Sequence, residues 1–189
     1  NFSLGMSFRY IYSNIASGYG TINTDISAGQ SFAADISALI KFPDVKVGDL
    51  NSDIFLGINI SNIGNKMDYG GPEGEKSFLP TNLKIGPSWN IQLDKYNSLV
   101  ISADFNKLLV PTSPVYASDV SGSNVTAGSP EDVIVSGMDP DRGVINAMFT
   151  SFSDAPGVVS YNSSNDSYSV EKGSKFKEEM SEIQWSIGA

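Results

Sequence analysis

Residues 79–110 read LPTNLKIGPSWNIQLDKYNSLVISADFNKLLV, and two runs within them alternate between apolar and polar side chains. The apolar face of these runs carries Leu83, Ile85, Trp89, Ile91 and Leu93, and then Leu99, Ile101, Ala103 and Phe105. A side chain that changes face at every residue follows the period of a β-strand. The runs are separated by residues 94–97 (DKYN), which are typical of a tight turn. The stretch therefore predicts an antiparallel hairpin with one apolar and one polar face.

The same alternation recurs at residues 2–12, 32–42 and 54–60, and from about residue 180 to the end. Several runs last about ten residues or more, which matches the roughly 9–11 residues of a membrane-spanning strand and exceeds the 5–6 that are usual in soluble domains. The apolar faces carry no charge, whereas the opposite faces combine Ser, Gly and Asn with a few charged residues. This pattern predicts an all-β fold, an antiparallel transmembrane β-barrel with a polar lumen. A soluble antiparallel sheet is the alternative.

The charged residues on the polar faces suggest structural ion pairs inside that lumen. Arg9 and Asp35 are expected to pair, as are Lys84 and Asp104. Pairing between opposite charges is a more common role for such residues than acid–base catalysis.

The amino-acid composition disfavours several classes of function. The 189 residues carry a formal net charge of −9 and contain neither Cys nor His. The acidic balance disfavours a nucleic-acid partner. The lack of His removes His-dependent catalytic triads and His-ligated metal sites from this segment. No active site, cofactor site or metal site is recognisable, so a non-enzymatic role is predicted.

The ends and connections of the chain fit a partial barrel. The chain starts and finishes inside strand-like runs, so we expect an internal segment of six or seven strands from a longer protein. Barrels have short periplasmic turns and longer extracellular loops. This rule places residues 43–52 and 94–97 on the periplasmic side, and residues 16–28, 64–76 and 111–177 outside. Residues 1–189 then form part of one barrel domain, with 111–177 as a long extracellular loop.

A short helix is predicted at residues 140–152 within this loop. Asp139 would cap it and Pro140 would occupy its first position. The apolar residues at helical spacing are Val144, Ile145, Met148, Phe149 and Phe152. The helix either closes its own barrel as a lid or presents this stripe to a partner. The lid is the favoured interpretation, because burial is the more common fate of such a stripe.

Six short blocks resemble, in order, the PorV family of outer-membrane proteins of the type IX secretion system in Bacteroidota. They are FRYIYSN (8–14), SFAAD (31–35), ISNIG (60–64), FLPTNL (78–83), DFNKLLVPT (104–112) and MFTSFSDAPG (148–157). Residues 113–136 and 161–173 match no quotable block and are interpreted as insertions in the long loop.

The resemblance implies a FadL-like barrel of roughly 14 strands in the outer membrane, with loops facing the cell exterior. It also implies that the protein receives the C-terminal signal domains of cargo proteins from the translocon. It would pass them to an attachment complex that contains a sortase-like protease. The implied partners are therefore translocon and attachment-complex proteins, cargo domains and surrounding lipid. The alternative function is a FadL-like transporter of hydrophobic small molecules.

Overall fold

The computed structural model describes residues 1–14, 28–69, 76–121 and 132–189. Residues 16–27, 70–75 and 122–131 of the predicted connections lie outside the described residues. The chain separates into two compact units. The sheet unit comprises Asn1–Leu108 and Gln184–Ala189, and the connection unit comprises Leu109–Ile183.

The elements follow the chain in a simple order. The sheet unit begins with β1 (Phe2–Ser13), β2 (Gly29–Val47), β3 (Leu50–Gly64), β4 (Met67–Asp68), β5 (Lys76–Ser77), β6 (Asn82–Gln92) and β7 (Ser98–Leu108). The connection unit contains β8 (Val115–Tyr116), α1 (Ala117–Ser121), β9 (Ile134–Ser136), α2 (Val144–Thr150), β10 (Val159–Asn162), β11 (Ser167–Val170) and α3 (Ser174–Ser181). The chain then returns to the sheet unit as β12 (Gln184–Gly188).

The five long strands and the shorter β12 form one antiparallel sheet in the order β1-β2-β3-β6-β7-β12. The predicted all-β fold and the predicted hairpin of β6 and β7 are confirmed. Among the described residues the sheet is open, with β1 and β12 at its edges. The described helices all lie in the connection unit, and none has the length and apolar character needed to span a bilayer.

Rows of directly paired residues cross the sheet and show that it has two different faces. One row is apolar and consists of Leu4, Ala38, Ile58, Ile85, Phe105 and Trp185. The next row is polar and consists of Gly5, Ser37, Asn59, Lys84, Asn106 and Gln184. Residues paired directly across strands share a face. The apolar and polar faces predicted from single strands are therefore continuous across the whole sheet. An extended apolar face of this kind is typical of contact with lipid.

Two strand boundaries differ from the sequence prediction. The turn predicted at residues 43–52 is confined to the two residues between β2 and β3. Asp44 adopts a positive φ of 58°, and the register shifts between Phe42 and Val45. This bulge absorbs the extra residues, so pairing continues beyond Pro43. The last run was predicted to start near Met180, but Met180 lies in α3 and the strand begins at Gln184.

The connection unit is built from short elements around a small interior. β8 pairs with β9, and β10 pairs with β11 as a hairpin. The buried side chains of the unit cluster around the end of α2 and include Ala147, Met148, Ser151, Asp154 and Ala155. An interior of this size relies on polar contacts as well as apolar packing.

Candidate functional site

A polar network joins β1, β2 and β3 on one face of the sheet. The carboxylate of Asp35 accepts hydrogen bonds from Arg9 Nη2 (2.6 Å), Ser7 Oγ (2.7 Å) and the backbone N–H of Asn62 (2.8 Å). Arg9 Nη2 also donates to Asn62 Oδ1 at 2.6 Å. Asn62 has a φ of 60°, a left-handed conformation that Asn tolerates better than most residues. It lies where β3 inserts one extra residue opposite Asp35, so the bulge directs its N–H at the carboxylate.

The same network holds the connection between β3 and β6. Asn62 Nδ2 donates to the Pro80 carbonyl at 2.9 Å, and Thr81 Oγ1 donates to the Asn62 carbonyl at 2.8 Å. Near these bonds, Met67 and Leu79 form a buried cluster with Ala33 of β2. The described parts of this connection therefore fold back over the face that carries Arg9 and Asp35.

Of the two predicted ion pairs, the structure brings together one. Arg9 and Asp35 are in contact at 2.6 Å. Lys84 and Asp104, both within the described residues, are not joined by an ion pair. The register pairs Lys84 with Asn106, while the Asp104 carboxylate lies over Gly86. The two charges therefore belong to different rows of the same face, which explains why the expected contact is not formed.

The helix predicted at residues 140–152 is present but shorter, spanning Val144–Thr150. Asp139 is not its cap, because Gly143 occupies that position without a side-chain hydrogen bond. Asp139 Oδ1 instead accepts the backbone N–H of Asp141 at 2.8 Å. Asp is well suited to both arrangements, and here the local turn takes precedence over the cap.

A buried ion pair joins residues on either side of α2, and it was not identified from the sequence. Arg142 precedes the helix and pairs with Asp154, which follows it. The Arg142 side chain is 7% exposed and that of Asp154 is fully buried. Asp154 Oδ2 also accepts the backbone N–H of Thr112 at 3.1 Å. The only sequence signal was the presence of Asp154 in the block MFTSFSDAPG.

The predicted apolar stripe is divided between the interior and the surface. Met148 is buried beside Ala147, and Val144 is half-buried. In contrast, Ile145 is 60% exposed, Phe149 is 77% exposed and Phe152 is 51% exposed. We call these three residues the α2 patch. The helix therefore uses one side to pack within its unit and presents Ile145 and Phe149 on the other, while Phe152 is exposed in the turn that follows it.

Acidic residues surround Tyr116 in the connection unit. Burial raises the pKa of the Tyr116 hydroxyl above its ordinary value of 10.0, and nearby carboxylates raise it further. In order of effect these carboxylates belong to Asp139, Asp141, Asp132 and Asp119. No group of three or more acidic, His or Cys residues in the described ranges is arranged to hold a metal ion.

The comparisons with known proteins bear on the sheet unit and its polar network. A family model described as type IX secretion system protein PorV matches residues 1–115. The chain belongs to the PorV family. The matched residues include β1 to β7 and every residue of the network described above. The protein is therefore a component of the type IX secretion system and has partners within that system, and its all-β fold fits the outer membrane.

The α2 patch and the Arg142–Asp154 pair lie beyond the residues matched by the PorV model. No functionally curated protein matches the chain. The family membership therefore concerns the sheet unit most directly, and the role of the connection unit is argued from its own geometry.

Proposed function

We propose that this PorV-family protein is a non-enzymatic carrier of secreted proteins. It binds the C-terminal signal domains of cargo proteins at the cell surface and passes them from the translocon to the attachment complex. In this proposal the sheet is part of a barrel in the outer membrane, and the connection unit is the long extracellular loop predicted at residues 111–177. The α2 patch is the observation that carries the proposal.

The α2 patch has the chemistry of a protein-binding surface. Large apolar side chains that are grouped and exposed mark interaction sites more often than scattered surface residues do. Aromatic residues such as Phe149 and Phe152 suit the anchoring positions of an interface, because they bury large areas with few rotatable bonds.

The support beneath α2 adds to this argument. Arg142 and Asp154 connect the two ends of the helix through a buried contact, and Ala147 and Met148 fix its inner side. A surface that is held rigid before binding loses less conformational entropy when a partner arrives. The patch is also small, which suits a transient contact that must be released at the hand-off.

The transporter alternative finds less support. A carrier of hydrophobic small molecules needs an apolar pocket on the lumen side. The sheet instead carries Ser, Asn, Gly and charged residues on its polar face. A groove of about 320 Å³ lined by Ile54, Trp89 and Ile101 lies on the opposite, apolar face. It therefore supplies no pocket for a solute inside a barrel.

A pair of matched substitutions in α2 tests the proposal. Phe149→Asp places a charge in the α2 patch, whereas Asn146→Asp places the same charge at an exposed polar position of the same helix. We expect Phe149→Asp to reduce secretion and the cross-linking of cargo, and Asn146→Asp to leave both unchanged. The amount of protein in the outer membrane serves as the control for assembly. Normal secretion with Phe149→Asp would remove the α2 patch from the proposal.

The identity of the partners is tested separately. Mild cross-linking in native membranes, followed by purification and mass spectrometry, should recover translocon subunits or several secreted proteins that share one C-terminal domain. Recovery of the protein alone with bound fatty acid would contradict the carrier role and support the transporter.

A further inference from the structure

We propose that the connection between β3 and β6 is folded into the barrel as a constriction, which keeps the lumen closed to dissolved solutes. We call its described residues, 65–69 and 76–81, the lumen strap. The inference requires the sheet to be part of an outer-membrane barrel, but it does not depend on the binding of cargo. A closed lumen preserves the permeability barrier of the membrane in which the protein works.

The lumen strap packs against the polar face of the sheet. Met67 and Leu79 of the strap are buried and form a cluster with Ala33 of β2. Ala33 is paired directly with Arg9, so it belongs to the same face as Arg9 and Asp35. In a membrane barrel the apolar face meets lipid and the polar face lines the lumen. The strap therefore lies on the lumen side of the barrel wall.

Hydrogen bonds connect the lumen strap to two strands of this wall. Ser31 Oγ of β2 donates to the Asn65 carbonyl at 2.8 Å, and the Tyr69 hydroxyl donates to Ser13 Oγ of β1 at 3.1 Å. Both serines belong to the polar face of the sheet. The first part of the strap is therefore held at both of its ends, by polar contacts that supplement the apolar cluster.

Two glycines of the wall allow the lumen strap to approach closely. A Cβ atom at Gly29 would lie 2.7 Å from the Tyr69 ring, and one at Gly64 would lie 2.8 Å from the Leu79 side chain. Gly is the residue that permits such a close approach, because it has no Cβ atom. The strands thus have small residues at the positions where the strap comes nearest to them.

Asn62 holds the second part of the lumen strap. Its side chain accepts a hydrogen bond from Arg9 and donates one to the Pro80 carbonyl, and Thr81 Oγ1 donates to the Asn62 carbonyl. The Asn62 N–H donates to Asp35 of β2, so wall and strap share one network of hydrogen bonds. Thr81 is only 1% exposed, which shows how closely this end of the strap is packed.

Conductance of the full-length protein in planar bilayers tests the proposal. Leu79→Asp places a charge in the buried cluster, whereas Ser77→Asp places the same charge at an exposed position of the lumen strap. We expect the unmodified protein and Ser77→Asp to pass little current. Leu79→Asp should raise the conductance several-fold, because it releases the strap. Asn62→Gly should act in the same direction, since Gly keeps the left-handed backbone but removes the side-chain bonds.

Thiol labelling of the purified protein shows whether the lumen strap has moved, because the chain has no Cys of its own. Ala33→Cys lies beneath the strap and should resist a water-soluble maleimide. Lys84→Cys, at an exposed position of the same face, should react readily. Adding Leu79→Asp or Asn62→Gly to Ala33→Cys should make position 33 reactive.

Three results would overturn the proposal. The first is an open-pore conductance of the unmodified protein, and the second is equal labelling of Ala33→Cys and Lys84→Cys. The third is unchanged conductance in a variant whose position 33 has become reactive. The amount of each variant in the outer membrane serves as the control for assembly. Cargo secretion is measured separately, so failure of this proposal is distinguishable from failure of the carrier role.

Discussion

At the scale of single residues, the Arg142–Asp154 pair is the contact on which α2 depends most. Both side chains are buried, so replacement of one leaves the other charge without its partner in a poorly solvated position. We predict that Arg142→Ala destabilises the connection unit by about 3–5 kcal/mol. The amides of α2, such as that of Ala147, should then exchange faster with deuterated solvent.

The control for this prediction is Lys172→Ala, which removes an exposed cation from the same unit and should leave the exchange unchanged. Arg142→Met combined with Asp154→Leu should be less harmful than Arg142→Ala, because no unpaired charge remains. Unchanged exchange in Arg142→Ala would contradict a structural role for the pair.

Contacts between residues could be predicted from the sequence where it was enough to know which face of a strand each side chain occupies. Alternation placed Arg9 and Asp35 on one face of neighbouring strands, and they are in contact. The pairing of Lys84 with Asp104 required the register between β6 and β7, which alternation does not specify. The role of Asn62 was not visible either, because an inserted residue in β3 is evident only once the two strands are aligned.

At the scale of elements, the β10–β11 hairpin is predicted to be dispensable for folding. Its base is closed by a hydrogen bond from the Glu171 N–H to the Val158 carbonyl at 2.9 Å. The Val158 N–H also donates to Ser174 Oγ at 3.0 Å, which holds the two ends of the hairpin together. Replacement of residues 159–170 with a short Gly linker should leave the outer-membrane level and the exchange protection of α2 unchanged. Loss of assembly would show that the hairpin stabilises its unit.

The turn between β6 and β7 gives a pH-dependent prediction. The side-chain amide of Asn97 and the backbone N–H groups of Tyr96 and Asn97 donate to Asp94, and these bonds hold the pKa of Asp94 below 3.8. A lowered pKa in the folded state stabilises the protein above pH 3.8, and this contribution is lost as the pH falls through the lowered pKa. Asp94→Ala should lower the urea midpoint at neutral pH.

The difference between Asp94→Ala and the unmodified protein should shrink as the pH is lowered below 3.8, in urea titrations of the folded protein in lipid vesicles. Lys95→Ala, in the same turn, provides the control and should show no such trend. A difference that is constant with pH would mean that Asp94 acts only through its packing.

The elements themselves were predictable in proportion to their length. The long strands repeat their period often enough to be recognised, whereas β4, β5, β8 and β9 contain two or three residues each and carry no period. The start of α2 was misplaced because Asp139 closes a turn of its own. α3 was missed because its eight residues contain one apolar pair, and Met180 could be read as part of the strand that follows.

At the scale of the whole molecule, the sheet has one apolar and one polar face, as the alternation in the sequence predicts for strands of a membrane barrel. Alternation within each strand assigned its residues to an apolar or a polar face without knowledge of the register. The paired rows show that the apolar faces of neighbouring strands lie on the same side of the sheet. The arrangement of the connection unit depends instead on single contacts between residues far apart in the sequence, such as Thr112 with Asp154. Contacts of this kind leave no periodic signal, which is why the candidate site was less predictable than the sheet.

The last prediction tests the apolar face itself. Leu4 lies in the apolar row that crosses all six strands, and its neighbour Ser3 points to the opposite face. If the apolar face contacts lipid, Leu4→Arg should lower the free energy of unfolding by about 2–4 kcal/mol, the penalty for Arg near the bilayer centre. Ser3→Arg adds the same charge one residue away, but on the polar face, and should be tolerated.

Urea titration of the folded protein in vesicles measures both Arg variants. Equal stabilities would mean that the apolar face does not meet the lipid core at Leu4. A penalty for Leu4→Arg that becomes smaller in thinner bilayers would show that the apolar row containing Leu4 lies deep in the hydrocarbon core. In a thinner bilayer the charge reaches the interface more easily. The comparison thus tests the membrane placement of the sheet independently of any partner.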